Sequence, residues 1–239
     1  MMKIKEFLSI AISILFIALI ISVKVELPKI IITAKSFLLS LPIAFIIVFI
    51  FVFTQKLVAY SLDCETESKL LSFRQFWFEE TRRLDFDFPL WLVLPSLLLL
   101  ISNGFVRWLS ILDFDVEAKK EKTRKKFHAL TEDDVGKISL AGPVALLFFG
   151  IIFKALSLSG INYFSSLAFN SVLFAFLALL PLGNGFKLLV SSRMIWFFTT
   201  AFAFFILLLI RLESLTAIIL VSLIFALLVT LAYYLLYEK

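Results

Sequence analysis

Chemistry inside a membrane needs titratable or metal-binding side chains at depth, and this sequence supplies very few. Its 239 residues include one histidine, His128, and one cysteine, Cys64. From Val135 to Leu212 there is no Asp or Glu. A His-Glu-x-x-His zinc site needs two histidines one helical turn apart and a glutamate base, so the chain cannot form one. A paired-aspartate mechanism lacks its carboxylates in the same way. His128 follows Lys125 and Lys126 in a basic loop and reads as a solvated loop residue. A lone cysteine makes neither an internal disulfide nor a multi-cysteine metal site. No phosphate-cradling glycine loop or dinucleotide fingerprint occurs. The expectation is no catalytic residue, no cofactor and no metal.

The polar residues left near apolar runs are Asn103, Lys154, Asn170, Asn184, Lys187 and Arg211. The three cations lie near run ends, where long side chains snorkel to water. Asn103-Gly104 reads as a helix C-cap. Asn170 sits mid-run, so its amide is expected to find a partner on a neighbouring helix. Asn184 lies in LALLPLGNGFKLL, Leu177 to Leu189. There Pro181 ends a helix, and the glycines around Asn184 permit positive φ or close backbone approach.

Apolar runs must position these residues. Hydrophobic types make up 62% of the chain, against about 45–50% in soluble domains, and a spanning helix needs roughly 20 apolar residues. Seven candidate spans follow: 7–23, 36–53, 88–106, 138–156, 163–182, 194–210 and 215–237. The expected fold is an all-α polytopic membrane bundle of about seven transmembrane helices with a small cytoplasmic β-hairpin-like segment. Residues 1–60 hold two helices, 61–87 an amphipathic interfacial segment, 88–195 a central core and 196–239 two final helices. The first run resembles a secretory leader, but it is longer than a usual leader core and no A-x-A-like site follows, so it reads as a retained span.

Two polar loops separate the runs. Residues 54–87 carry five Lys/Arg and seven Asp/Glu among Phe and Trp, an interfacial composition. Residues 107–137 carry eight and seven. Within them Leu112–Glu117 alternates apolar and acidic residues, which predicts a strand, and a basic turn and a second strand are expected after it. Thr131 is a predicted N-cap, with Glu132, Asp133 and Asp134 in the first helical turn. Seven spans place 14 of the 23 Lys and Arg on the side of loop 107–137 and the C-terminus and nine on the side of the N-terminus and loop 54–87. The first side is then the cytoplasm of a cell-membrane protein. The net charge of +5 is small for loops facing lipid headgroups. It points to the bilayer and not to nucleic acid, and nothing in it sets an oligomeric state.

Three features occur in one order. A run ends near residue 106 and is followed by the strand-like segment. Then ISLAGPVALLFFG opens a span with Gly142-Pro143. Then AFNSVLFAFLALLPLGNGFKLL closes the next. Over roughly residues 88–195 this resembles the core of the site-2 protease family of intramembrane zinc metalloproteases. That family has a span with H-E-x-x-H, a β-rich segment, a span opening A-G-P-x-x-N, and a span ending N-L-L-P followed by L-D-G. The resemblance implies a cleft between spans 88–106, 138–156 and 163–182. Its surviving positions are Gly142, Pro143, Pro181 and Gly185, joined by Asn170 and by Asn184, which stands where the family has its aspartate ligand. The stretch Trp91–Asn103 contains no histidine or glutamate, and Leu146 and Ala178 replace two groove asparagines. The resemblance therefore implies a pseudoprotease that binds a membrane-protein segment without cutting it. The alternatives are a transporter or channel subunit, and a membrane metalloprotease whose metal ligands come from a partner.

Overall fold

Uncharged runs of Ile, Leu, Phe and Val leave the backbone no partner but itself in an apolar medium, and helices follow. The computed structural model describes residues 4–26, 29–31, 33–75, 83–118 and 130–237. In chain order it forms α1 (Ile4–Ser22), β1 (Lys24–Glu26), β2 (Lys29–Ile31), α2 (Ala34–Ser61), β3 (Cys64–Leu70), β4 (Phe73–Gln75) and β5 (Arg83–Phe88). Then come α3 (Leu90–Ile101), β6 (Leu112–Ala118), α4 (Glu132–Ser157), α5 (Asn162–Leu179), α6 (Asn184–Ser191), α7 (Arg193–Leu209) and α8 (Leu215–Tyr237). The strands pair two by two, β1 with β2, β3 with β6, and β4 with β5.

Every predicted run contains a helix, but seven crossings do not follow. Among the described residues four helices, α1, α2, α4 and α8, are long and apolar enough to cross a membrane, and α5 with α6 makes a fifth if that pair, bent by 55°, counts as one span. Helix α3 has 12 residues, about 18 Å at 1.5 Å per residue, against a hydrocarbon core of about 30 Å. Pro89 precedes it, and Asn103 (φ 50°) and Gly104 (φ 83°) close it in the left-handed region. The Gly104 N–H donates to the Leu99 carbonyl at 2.7 Å, so the expected C-cap is present. Helix α7, with 17 residues, also falls short of the other spans.

The chain divides into two compact units. The first comprises Met1–Val48 and Glu67–Asp115. In it the Glu6 carboxylate, only 3% exposed at the start of α1, accepts from the Ser68 N–H at 3.1 Å. The Arg107 guanidinium donates to the Val23 carbonyl at 2.8 Å, and burial holds its pKa below the usual value. Trp91 of α3 packs edge-on against Phe16 of α1, with centroids 5.6 Å apart. The Leu71 N–H donates to the Ile111 carbonyl at 2.9 Å, and Lys69 pairs with Asp115 at 2.7 Å. The expected topology set loops 54–87 and 107–137 on opposite sides of a membrane; residues of the two lie together here, Leu71 with Ile111 and Lys69 with Asp115, and α3 between them has 12 residues.

Strand β6 has the predicted alternation in part: Leu112 and Phe114 are buried and Asp115 and Glu117 exposed, but Asp113 is buried as well. Its neighbour is β3. The predicted basic turn and second strand lie outside the described residues, as does His128. Residues 61–87, expected to be interfacial, hold the three strands β3, β4 and β5.

The second unit comprises Phe49–Thr66 and Val116–Lys239. Thr131 caps α4 as predicted: its hydroxyl accepts from the Asp134 N–H, and the Asp134 side chain accepts from the Thr131 N–H. Helix α4 packs along α5 and α6, and α7 pairs with α8 through stacked rings, Phe197 on Tyr233 at 4.2 Å and Phe205 on Phe225 at 4.6 Å. Much of α8 is exposed Leu, Ile and Phe, the surface of a helix facing acyl chains.

Candidate functional site

The site begins with small residues on one stripe of α4. Gly136, Ser139, Gly142, Pro143, Leu146, Leu147, Gly150 and Lys154 are buried, at the three- and four-residue spacing of one helical face. The glycines set how closely neighbours approach. A Cβ at Gly142 would lie 2.6 Å from the ring of Phe51, and one at Gly150 would lie 2.7 Å from Val172 of α5. Phe51 packs edge-on against Phe174 of α5 at 5.0 Å. Pro143 has no N–H to give the Ser139 carbonyl one turn earlier.

Helix α5 stops at Leu179. Leu180 is extended (φ −61°, ψ 153°), the conformation favoured before a proline, so Pro181 ends the helix as predicted. Two glycines then do different work. Gly183 carries φ 60° and precedes α6. Gly185 has no room for a side chain, because a Cβ there would run into the carbonyl oxygens of Leu179 and Leu180. The indole of Trp196 donates to the Leu179 carbonyl at 2.7 Å, closing the broken helix end. The Ser139 hydroxyl donates to the backbone carbonyl of Asn184, tying α4 to α6.

Asn184 is 2% exposed, and both polar atoms of its amide are enclosed without a hydrogen bond among the described residues. Asn170 is also 2% exposed. Its Nδ2 donates to the Ser166 carbonyl at 2.7 Å on its own helix, and its Oδ1 has no partner. Among the described residues, the expected bond from Asn170 to a neighbouring helix is therefore not made. Pro181 lies on the surface, while Gly142, Pro143, Asn184 and Gly185 lie inside.

Of the three walls expected for a cleft, α4 and α5 pack directly on each other, and α3 belongs to the first unit. The zinc implied by the resemblance does not fit the residues present. Asn184 is a neutral amide, Trp91–Asn103 supplies no ligand, and among the described residues no three His, Cys, Asp or Glu side chains are grouped to hold a metal.

Two residues escaped the sequence reading. Ser139 gave no signal, because a serine in an apolar helix commonly bonds its own turn. Lys154 was expected to snorkel, yet it is 8% exposed and lines a cavity beside Arg211. Its spacing from Gly136, Gly142 and Gly150 was the available clue. Cys64 is buried, and burial, with Asp134 and Asp63 nearby, pushes its thiol pKa up. Comparison with protein-family models, curated proteins and solved structures finds no match to this chain.

Proposed function

We propose that this chain is a non-catalytic integral membrane protein that binds a segment of another membrane protein on a scaffold resembling that of the site-2 proteases. The resemblance rests on motif order alone. The observation that carries the reading is the Asn184 amide, enclosed with a donor and an acceptor both unused. A buried polar group without a partner costs about 1–3 kcal/mol. A primary amide offers the same donor and acceptor as a peptide group, so an inserted extended segment would satisfy both. Strand β6 adds a second contact, since among the described residues it has one strand neighbour, and a free edge accepts a strand.

The test is site-specific photocrosslinking in native membranes from Leu182 and Phe186, exposed residues flanking Asn184. One defined membrane protein is expected as the adduct, and Asn184→Leu is expected to abolish it without lowering the detergent melting temperature. Adducts that ignore Asn184→Leu, or protease activity of the purified chain, would refute the reading.

The same proposal places loop 107–137 and the C-terminus in the cytoplasm. With α3 dipping in and the chain returning to the same face, and α7 crossing, only Lys24, Lys29, Lys35, Lys154, Arg211 and Arg107, which reaches the Val23 carbonyl at the outer end of α1, lie outside, leaving 17 of 23 Lys and Arg inside. The exposed apolar tip of α3, Leu100, Ile101 and Phe105, suits such a dip. Tags at both termini are expected to be protected in intact cells. External access to either tag would overturn this topology.

A further inference from the structure

We propose that the end of the second unit remote from Asn184 binds the phosphate headgroup of an anionic phospholipid. A cavity of about 310 Å³ opens there, lined by Lys154 of α4, Ser165, Ser166 and Phe169 of α5, and Ile210 and Arg211 after α7. Its volume is at the small end for ligand sites. It holds a headgroup and leaves the acyl chains outside.

Lys154 carries the argument. It is 8% exposed, and among the described residues its ammonium has no hydrogen bond or ion pair. A charge taken out of water without a partner is costly, and here it faces a cavity instead of a carboxylate. Arg211 adds a second cation, held over the Phe169 ring at 5.9 Å. The nearest acidic residue in sequence, Glu213, makes no ion pair with it among the described residues.

The start of α5 strengthens the field. Its N-cap, Ile161, gives no side-chain hydrogen bond, and its first turn has no acidic residue. The Phe164 N–H is taken by the Ile161 carbonyl at 3.1 Å, so what the helix start adds to the cavity is the positive end of its dipole, uncancelled by an acidic side chain. The Ser165 and Ser166 hydroxyls add donors at the cavity wall.

Position selects the source of the phosphate. The cavity lies in the last turn of α4, a helix long and apolar enough to cross the bilayer, which is the depth of the headgroups. Phe169 and Ile210 supply an apolar flank for the first methylenes of the acyl chains.

The experiment is native mass spectrometry of the full chain in detergent, with phosphatidylglycerol or phosphatidylcholine added. Wild type is expected to retain phosphatidylglycerol preferentially. Lys154→Gln and Arg211→Gln are each expected to weaken retention roughly tenfold, the loss of one charge-assisted hydrogen bond. Arg193→Gln, which removes one charge at the other end of the α5–α6 pair, is expected to change nothing. Arg211 is exposed, so its variant tests the site even if Lys154→Gln misfolds. Equal retention by wild type and Arg211→Gln would overturn the proposal. Inorganic phosphate supplies the second arm. If it raises the melting temperature of wild type but not of Arg211→Gln, with no preference between the two lipids, the site takes a soluble anion and the lipid assignment falls.

Discussion

The two ends of α4 treat buried polar groups in opposite ways. Ser139, near one end, donates to Asn184 in a seam so tight that a Cβ at Gly185 would strike the backbone of α5. About 22 Å along the helix, at 1.5 Å per residue, Lys154 looks into a cavity. The first end encloses a neutral amide with nothing to bond. The second leaves an unpaired charge with space before it. A neutral amide costs little enough to be sealed in, whereas an unpaired ammonium needs water or an anion. Close glycine packing is therefore compatible with Asn184 and would be ruinous around Lys154.

The largest expected effect comes from breaking the tight end. Gly185→Ala forces the added methyl onto the Leu179 and Leu180 carbonyls, and backbone cannot move aside as a flexible side chain does. Detergent thermal melting is expected to show a loss of about 3 kcal/mol or more. A variant that melts like wild type would show that the α5–α6 break is looser than described.

A smaller effect separates the two asparagines. Asn170→Leu removes a real hydrogen bond to the Ser166 carbonyl, at a cost of about 0.6–2 kcal/mol by the range for intramembrane bonds. Asn184→Leu removes only unpaired atoms, and replacing such a group by an apolar one of similar shape is close to neutral or stabilising. The melting temperature is expected to fall for the first and to hold or rise for the second. The reverse order would mean that Asn184 is the structural member of the pair.

The smallest effect is kinetic. The Cys64 thiol is buried, and its pKa is raised by that burial and by the carboxylates of Asp134 and Asp63. A raised thiol pKa means less thiolate at any given pH, and thiolate is the reactive form. Maleimide labelling in the folded protein is expected to be slow at pH 7 and to gain speed only above the ordinary thiol value of about 8.5. Fast labelling at neutral pH would place Cys64 outside the packing described.

Composition and run length determined the helical membrane character, because apolar backbone without water must bond within its own helix. Local chemistry determined the ends. The N-cap at Thr131, the Asn103-Gly104 C-cap and the stop before Pro181 depend on neighbours a few residues away, so they were legible. The strand at Leu112–Glu117 was legible for the same reason, through its period of two.

Tertiary structure decided what depends on distant residues. Run 88–106 looks long enough to cross, but Pro89 and the Asn103-Gly104 cap trim its helix to 12 residues. Pairing of β3 with β6 then brings together two segments far apart in sequence, Cys64–Leu70 and Leu112–Ala118. No local pattern encodes such a pairing. Burial was equally hidden. A lysine near the end of a run has room to snorkel unless helices α5 and α7 close over it, and an asparagine in a glycine turn faces water unless α4 covers it. Those outcomes depend on which helix packs against which, a property of the assembled core and not of any one segment.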